Sequence, residues 1–279
     1  MKLAASGRSV AATLVLLLWP SMAGAQDFLF SASVELAAGN IQSFTTTLTL
    51  QNTIDPEEAS EPRAKKAGGG SPSSGKSADS ASPSGTKPTA SGSASSSKPS
   101  KSRPIQTAYV ASPDVSKRVQ AAFLAWAKSV SSTEAERLDQ AMRKLDFVKI
   151  YDGIVGDFGL ASRDAGDAYT AYWILNWMMA NRAADPSRSA VAAVRSQVRQ
   201  SLSKNATFPR LSDAERQEMA EVYIYNFVVQ HGAYFGAVRR GDTGLAWRLS
   251  DAAQARFSNE RSIDLRGLNL TRRGFQKKG

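Results

Sequence analysis

The 279-residue chain contains no cysteine and a single histidine, His231. Without thiols there are no disulfides, no thiolate metal sites and no lipidated cysteine at a processed N-terminus. One imidazole and no thiol leave a zinc centre short of its usual His and Cys ligands; no metal and no cofactor are expected. Nor is a phosphate-cradling glycine loop. Lys and Arg are missing from residues 26–62, which hold six acids. Large aliphatic and aromatic residues are missing from 71–104. Long apolar runs are scarce, and each of the two present has its own reading.

The first run, Val10 to Trp19, follows Lys2 and Arg8 and precedes Ala23-Gly24-Ala25. A basic start, a short apolar stretch and an A-x-A site make the layout of a secretory signal peptide, with cleavage expected after Ala25. The run is short for a membrane span. The chain is therefore expected to be exported, to the periplasm or beyond. The second run lies in VYIYNFVVQHGAYFGAVRR (222–240). Asn226, Gln230 and His231 interrupt it, and Glu215, Glu218 and Glu221 precede it, so it reads as a core helix rather than a span. No transmembrane helix is expected in the mature chain. Gly232 and Gly236 read as a close helix contact.

Charge is unevenly spread. Residues 63–104 carry eight basic residues and one acid, 105–255 carry 18 and 16, and 256–279 carry seven and two. The net charge of +10 thus sits largely in a linker and a tail. Such tracts can make weak contact with an anionic surface, although a solvated linker is the plainer reading. Export argues against nucleic acid as the partner.

The organisation follows from composition. After the leader (1–25), residues 26–54 form a short segment in which Phe44, Leu48 and Leu50 alternate with Thr, a strand pattern. Residues 55–104, rich in Ser, Gly, Pro, Lys and Ala, cannot bury enough apolar surface to order and read as a disordered tether, with a reach of about 40 Å. Residues 105–279 are sized for one core and carry helical periodicity almost throughout, so the fold class is mainly α: an irregular multi-helix bundle with a small, β-like N-terminal segment.

Within that domain, Ser112-Pro113 reads as a helix start, followed by a stripe of Val115, Val119, Phe123, Trp126 and Val130. Thr133 and Glu136 suggest a capping box for the next helix, and Phe147, Tyr151, Ile154 and Phe158 keep apolar spacing up to Gly159. Asp164 or Asp167 can cap DAYTAYWILNWMMANR (167–182). Pro186 begins a helix with Val191, Val194, Val198 and Leu202. Ser212 and Glu215 form a second capping box for a helix reaching Arg240, with Gly241 as its stop. Asp242 caps a last helix to about Phe257. The tail 264–276 reads as an extended segment docked on the bundle.

Few side chains offer chemistry. Glu218 and Glu221, three apart on one helix face, could supply the two carboxylates of a glycosidic hydrolase, yet such spacing is ordinary at helix starts. His231 lies among apolar neighbours, unlike a triad histidine in an open cleft. Asp152, Asp157, Asp164 and Asp167 do not follow the calcium-loop spacing. Arg188, Arg195 and Arg199 read as a solvated face. The aromatic stretch is apolar nearly all round, the mark of a central helix. Tyr169, Tyr172 and Asn176 carry its polar tips and are the candidates for a ligand-binding wall.

Three pieces, DAYTAYWILNWMMANR (167–182), RQEMAEVYIYNFVV (216–229) and DLRGLNLTRRGF (264–275), occur in this order. Together the chain resembles an uncharacterised family of exported bacterial proteins, a domain of unknown function, over roughly 112–279. Tyr172-Trp173 stands where that pattern has a Trp-Trp pair. The resemblance implies a helical exported domain and brings no activity or catalytic residue. The expected function is a non-enzymatic periplasmic binding or interaction module for an envelope protein or polymer. The alternatives are an envelope hydrolase using Glu218 and Glu221, or a structural protein held to an anionic surface by its linker.

Overall fold

A computed structural model describes residues 105–279. The leader, the strand-like run at 44–50 and the 55–104 linker lie outside the described residues. Within them the chain forms α1 (Pro113–Val130), α2 (Ser132–Lys144), α3 (Phe147–Val155), α4 (Ala165–Asn181), α5 (Arg188–Lys204), α6 (Asp213–Arg239) and α7 (Thr243–Arg261), then a hairpin of β1 (Leu268–Thr271) and β2 (Gly274–Lys277). This is the mainly helical bundle that the periodicity predicts.

Local chemistry sets most of the boundaries. The Ser212 hydroxyl accepts from the Glu215 backbone N–H while the Glu215 carboxylate accepts from the Ser212 N–H, a reciprocal box that opens α6. Asp164 caps α4 by accepting from the Asp167 N–H at 3.0 Å. Asp242 caps α7 through the Leu245 N–H. Gly241 follows α6 at φ 71°, where a side chain would be strained.

Some expected boundaries shift. Ser131, not a Thr133–Glu136 box, caps α2. Pro186 precedes the Ser187 cap of α5 rather than starting the helix. At α1 the Ser112 hydroxyl caps nothing; instead the Gln217 amide of α6 brackets its backbone, accepting from the Ser112 N–H at 2.7 Å and donating to its carbonyl at 2.9 Å. α7 runs on to Arg261 before Ser262 turns left-handed.

α4 and α6 form the centre. α4 packs against α5, α6 and α7, and α6 also packs against α1 and α3. Every residue of α4 is buried except Trp177 and Asn181, which are partly exposed. Its rings meet those of three other elements: Tyr169 and Tyr223 at 4.8 Å, Trp173 and Phe257 at 4.8 Å, Trp173 and Phe275 at 5.9 Å. Each such pair adds roughly 0.5–1.5 kcal/mol beyond burial.

The tail is a hairpin rather than a single extended segment. Leu268 pairs with Lys277 and Thr271 with Gly274, and the Thr271 hydroxyl accepts from the Arg273 N–H within the turn. Phe275 is fully buried, and its backbone exchanges two hydrogen bonds with the Gln197 amide of α5, at 2.8 and 3.0 Å. Gly274 sits at φ 89°, and a Cβ there would lie 2.1 Å from the Gln197 Oε1. Glycine is what lets the hairpin close against α5.

Candidate functional site

The two glutamates of the hydrolase reading part ways on α6. Glu218 is half-buried and ion-paired to Arg118 of α1. Glu221 is turned inward, 4 % exposed, and its Oε1 accepts from the Ser116 hydroxyl at 2.6 Å and the Gln217 amide at 2.8 Å. Burial, reinforced by the Glu221 charge, raises the pKa of the neighbouring Tyr109 and Tyr225 hydroxyls. Glu221, Gln217 and Ser116 thus form a polar latch between α1 and α6. A cleft of about 370 Å³ bordered by α1, α2, α3 and α6 is lined by Gln120, Arg143, Asp146 and Tyr225 and by neither glutamate.

The polar tips of the aromatic helix are engaged inside the bundle. Asn176 is fully buried; its Oδ1 accepts from Arg256 of α7 at 2.7 Å and its Nδ2 donates to the Tyr172 carbonyl at 2.8 Å. The Tyr169 hydroxyl accepts from Arg261 at 2.9 Å. The Arg261 guanidinium also lies 5.5 Å from the Tyr169 ring centroid and 5.6 Å from that of Phe257, which suits a cation over aromatic faces. Tyr172 is 1 % exposed and its hydroxyl is pushed up by burial. These three residues line no described cleft. They join α4 to α7 within the core.

His231 stacks between Phe227, at 5.6 Å, and Phe235, at 4.6 Å. It faces a narrow apolar cavity of about 60 Å³ between α3, α4 and α6, together with Ile154, Ile174 and Met178. Burial pushes its imidazole down to about 4, with the Arg239 charge adding to the shift, so it is neutral at pH 7. Among the described residues it has no hydrogen-bond partner that could orient it as a catalytic base.

A charged cluster stands where a solvated basic face was expected. Arg195 of α5 grips the fully buried Asp167 through two bonds, at 2.6 and 2.7 Å. Arg199 reaches Asp164 at 2.7 Å and Asp167 at 3.2 Å. The Thr107 hydroxyl donates to Asp164 at 2.8 Å, and the Ala161 N–H donates to Asp167. Burial raises the Asp167 carboxyl, and the Arg195 hydrogen bond opposes that rise. The i, i+4 spacing of the two arginines marks a shared face, but it carries no sign of the acids opposite it. Of the expected basic face, only Arg188 stays well exposed, 3.8 Å from the exposed Asp157.

Among the described residues no group of His, Asp and Glu is placed to hold a metal ion, and no helix is long and apolar enough to cross a membrane. A third cleft, of about 320 Å³, lies between the C-terminal end of α4, the loop after it and β1, with Trp177, Asp185, Ser187 and Arg272 in its lining. Nothing in the sequence pattern picks out that group, whose members come from three segments. Residues 70–77, GSPSSGKS, carry the spacing of a phosphate loop. They lie outside the described residues, in a tract with no apolar run to build the flanking strand and helix.

The fold is thus a helical bundle whose candidate chemistry is spread over separate interhelix contacts. The chain belongs to a family of unknown function, DUF6683, whose model matches residues 5–276. That match extends well before the 112–279 region on which the resemblance rests. No curated protein and no solved structure matches the chain.

Proposed function

We propose that this chain is an exported, non-enzymatic helical module that binds a component of the cell envelope, protein or polymer. Export is inferred from the leader-like start, with its basic residues, short apolar run and A-x-A site. The observation that carries the binding reading is Glu221. The acid best placed for catalysis is buried beneath Ser116 and Gln217, latching α1 to α6, while its companion Glu218 is paired with Arg118. A glycosidic acid–base pair must instead flank one substrate cleft. The test is affinity capture on the immobilised mature chain from solubilised envelope. Saturable retention of one component, resistant to moderate salt, supports the reading. Retention that moderate salt abolishes points to the basic tracts alone, and release of soluble wall fragments points to a hydrolase.

A further inference from the structure

Trp177 is the one aromatic residue of α4 that reaches the surface, and it does so in the cleft bounded by Asp185, Ser187, Leu270 and Arg272. Its indole is held from two sides. Nε1–H donates to the Leu268 carbonyl at 2.9 Å, and the ring meets Phe275 at 6.1 Å with the planes 53° apart. The only polar atom of the side chain is thus engaged within the fold, and the surface it offers the cleft is carbon.

The rim has the opposite character. Among the described residues neither Asp185 nor Arg272 has a hydrogen-bond or ion-pair partner. Asp185 offers two acceptor oxygens and Arg272 a fork of donors. The volume of about 320 Å³ lies at the low end of small-molecule sites.

A rigid aromatic floor with an acceptor and a donor at its margin suits a hexopyranose. The C–H face of the sugar covers the indole carbon, and its ring hydroxyls both donate to a carboxylate and accept from a guanidinium. A purely apolar ligand would strip water from Asp185 and Arg272 without replacing it. A free phosphate would gain nothing from the indole and would be repelled by Asp185. We propose that the Trp177 cleft binds hexopyranose units of a glycan chain, with Trp177 as the stacking platform and Asp185 and Arg272 as the hydrogen-bonding groups. This rests on the binding-module reading and names the ligand class for it.

The test is titration of the whole mature chain with chitotetraose, cellotetraose and tetragalacturonate, followed by calorimetry and tryptophan fluorescence. Saturable binding of at least one is expected, weakened by about tenfold or more in Asp185→Asn and in Arg272→Gln, the scale of a lost charge-assisted hydrogen bond. Both side chains are exposed, so both variants should keep the wild-type circular dichroism and melting curve. Trp177→Leu should abolish binding, and the two rim variants keep the test valid should that one misfold. Absence of saturable binding to all three sugars overturns the assignment, as does binding equal in wild type and both rim variants. If the sugars fail while envelope capture still retains a protein, only the glycan inference falls. If capture fails too, the module reading falls with it.

Discussion

Lowering the pH from 7 to 5 should destabilise the bundle through His231 alone among its imidazoles. The side chain has a pKa of about 4 in the fold, against an ordinary value of 6.5. The unfolded chain therefore takes up a proton at a pH where the folded chain does not. For a base depressed in this way, stability is full above about pH 6.5 and is lost as the pH falls toward about 4. The residue is partly exposed, so linkage across that interval gives at most about 2 kcal/mol of loss at pH 5 and about 0.8 kcal/mol at pH 6. The physical source is the cost of placing a cation between Phe227 and Phe235, beside an apolar cavity and under the repulsion of Arg239. Urea unfolding at pH 7, 6 and 5 measures it directly in the mature chain. His231→Phe supplies the reference, because a third ring suits the apolar site and does not titrate. Carboxylates that begin to protonate near pH 5 do so in both proteins and cancel in the difference. The wild type should lose between about 1 and 2 kcal/mol more than the variant between pH 7 and 5. Equal pH dependence in the two proteins would refute a desolvated, neutral His231.

Three further outcomes follow from the packing. Asp167→Asn should cost about 3 kcal/mol, at the low end for breaking a buried ion pair because the stranded Arg195 is one-third exposed and can be hydrated; chemical denaturation showing a loss below about 0.5 kcal/mol would remove Asp167 as the anchor between α4 and α5. Gly274→Ala should cost about 2 kcal/mol, from positive φ and from displacing the Gln197 amide from Phe275; in a double-mutant cycle only the second part, about half, should vanish in a Gln197→Ala background, while the backbone strain remains. Gln230 is 1 % exposed, with neither amide atom hydrogen-bonded among the described residues, so Gln230→Met should raise stability by about 1 kcal/mol and shift the melting temperature upward; a lower melting temperature would show that the amide is satisfied, for instance by a buried water.

What was legible in the sequence depended on range. The Ser212–Glu215 box and the Gly241 stop act over three or four residues, so residue type and spacing reveal them. The aromatic helix was legible because burial on every side leaves no polar face to conceal. The Arg195 and Arg199 grip on Asp167 was not, since its partners lie 28 and 32 residues apart and only the docking of α5 on α4 brings them together. The hairpin carries no local signature for a different reason. Its turn, Arg272-Arg273, lacks the Asn-Gly or Gly-led signal of a two-residue loop, and its register is held from outside by Gln197. Trp177 was hidden by its own helix. Helical spacing puts it on the same side as Tyr169, Tyr172 and Asn176, and only the loop at 184–187 and strand β1 decide that its neighbourhood opens to solvent.

The most direct test of the central claim is envelope capture run in parallel with Glu221→Gln. If Glu221 is a latch between α1 and α6, the variant should melt at a lower temperature yet retain the same component in the same saturable amount, with no soluble wall fragments released by either protein. Fragments released by the wild type and lost in a Glu221→Gln protein of unchanged melting temperature would contradict the account and make Glu221 a catalytic acid.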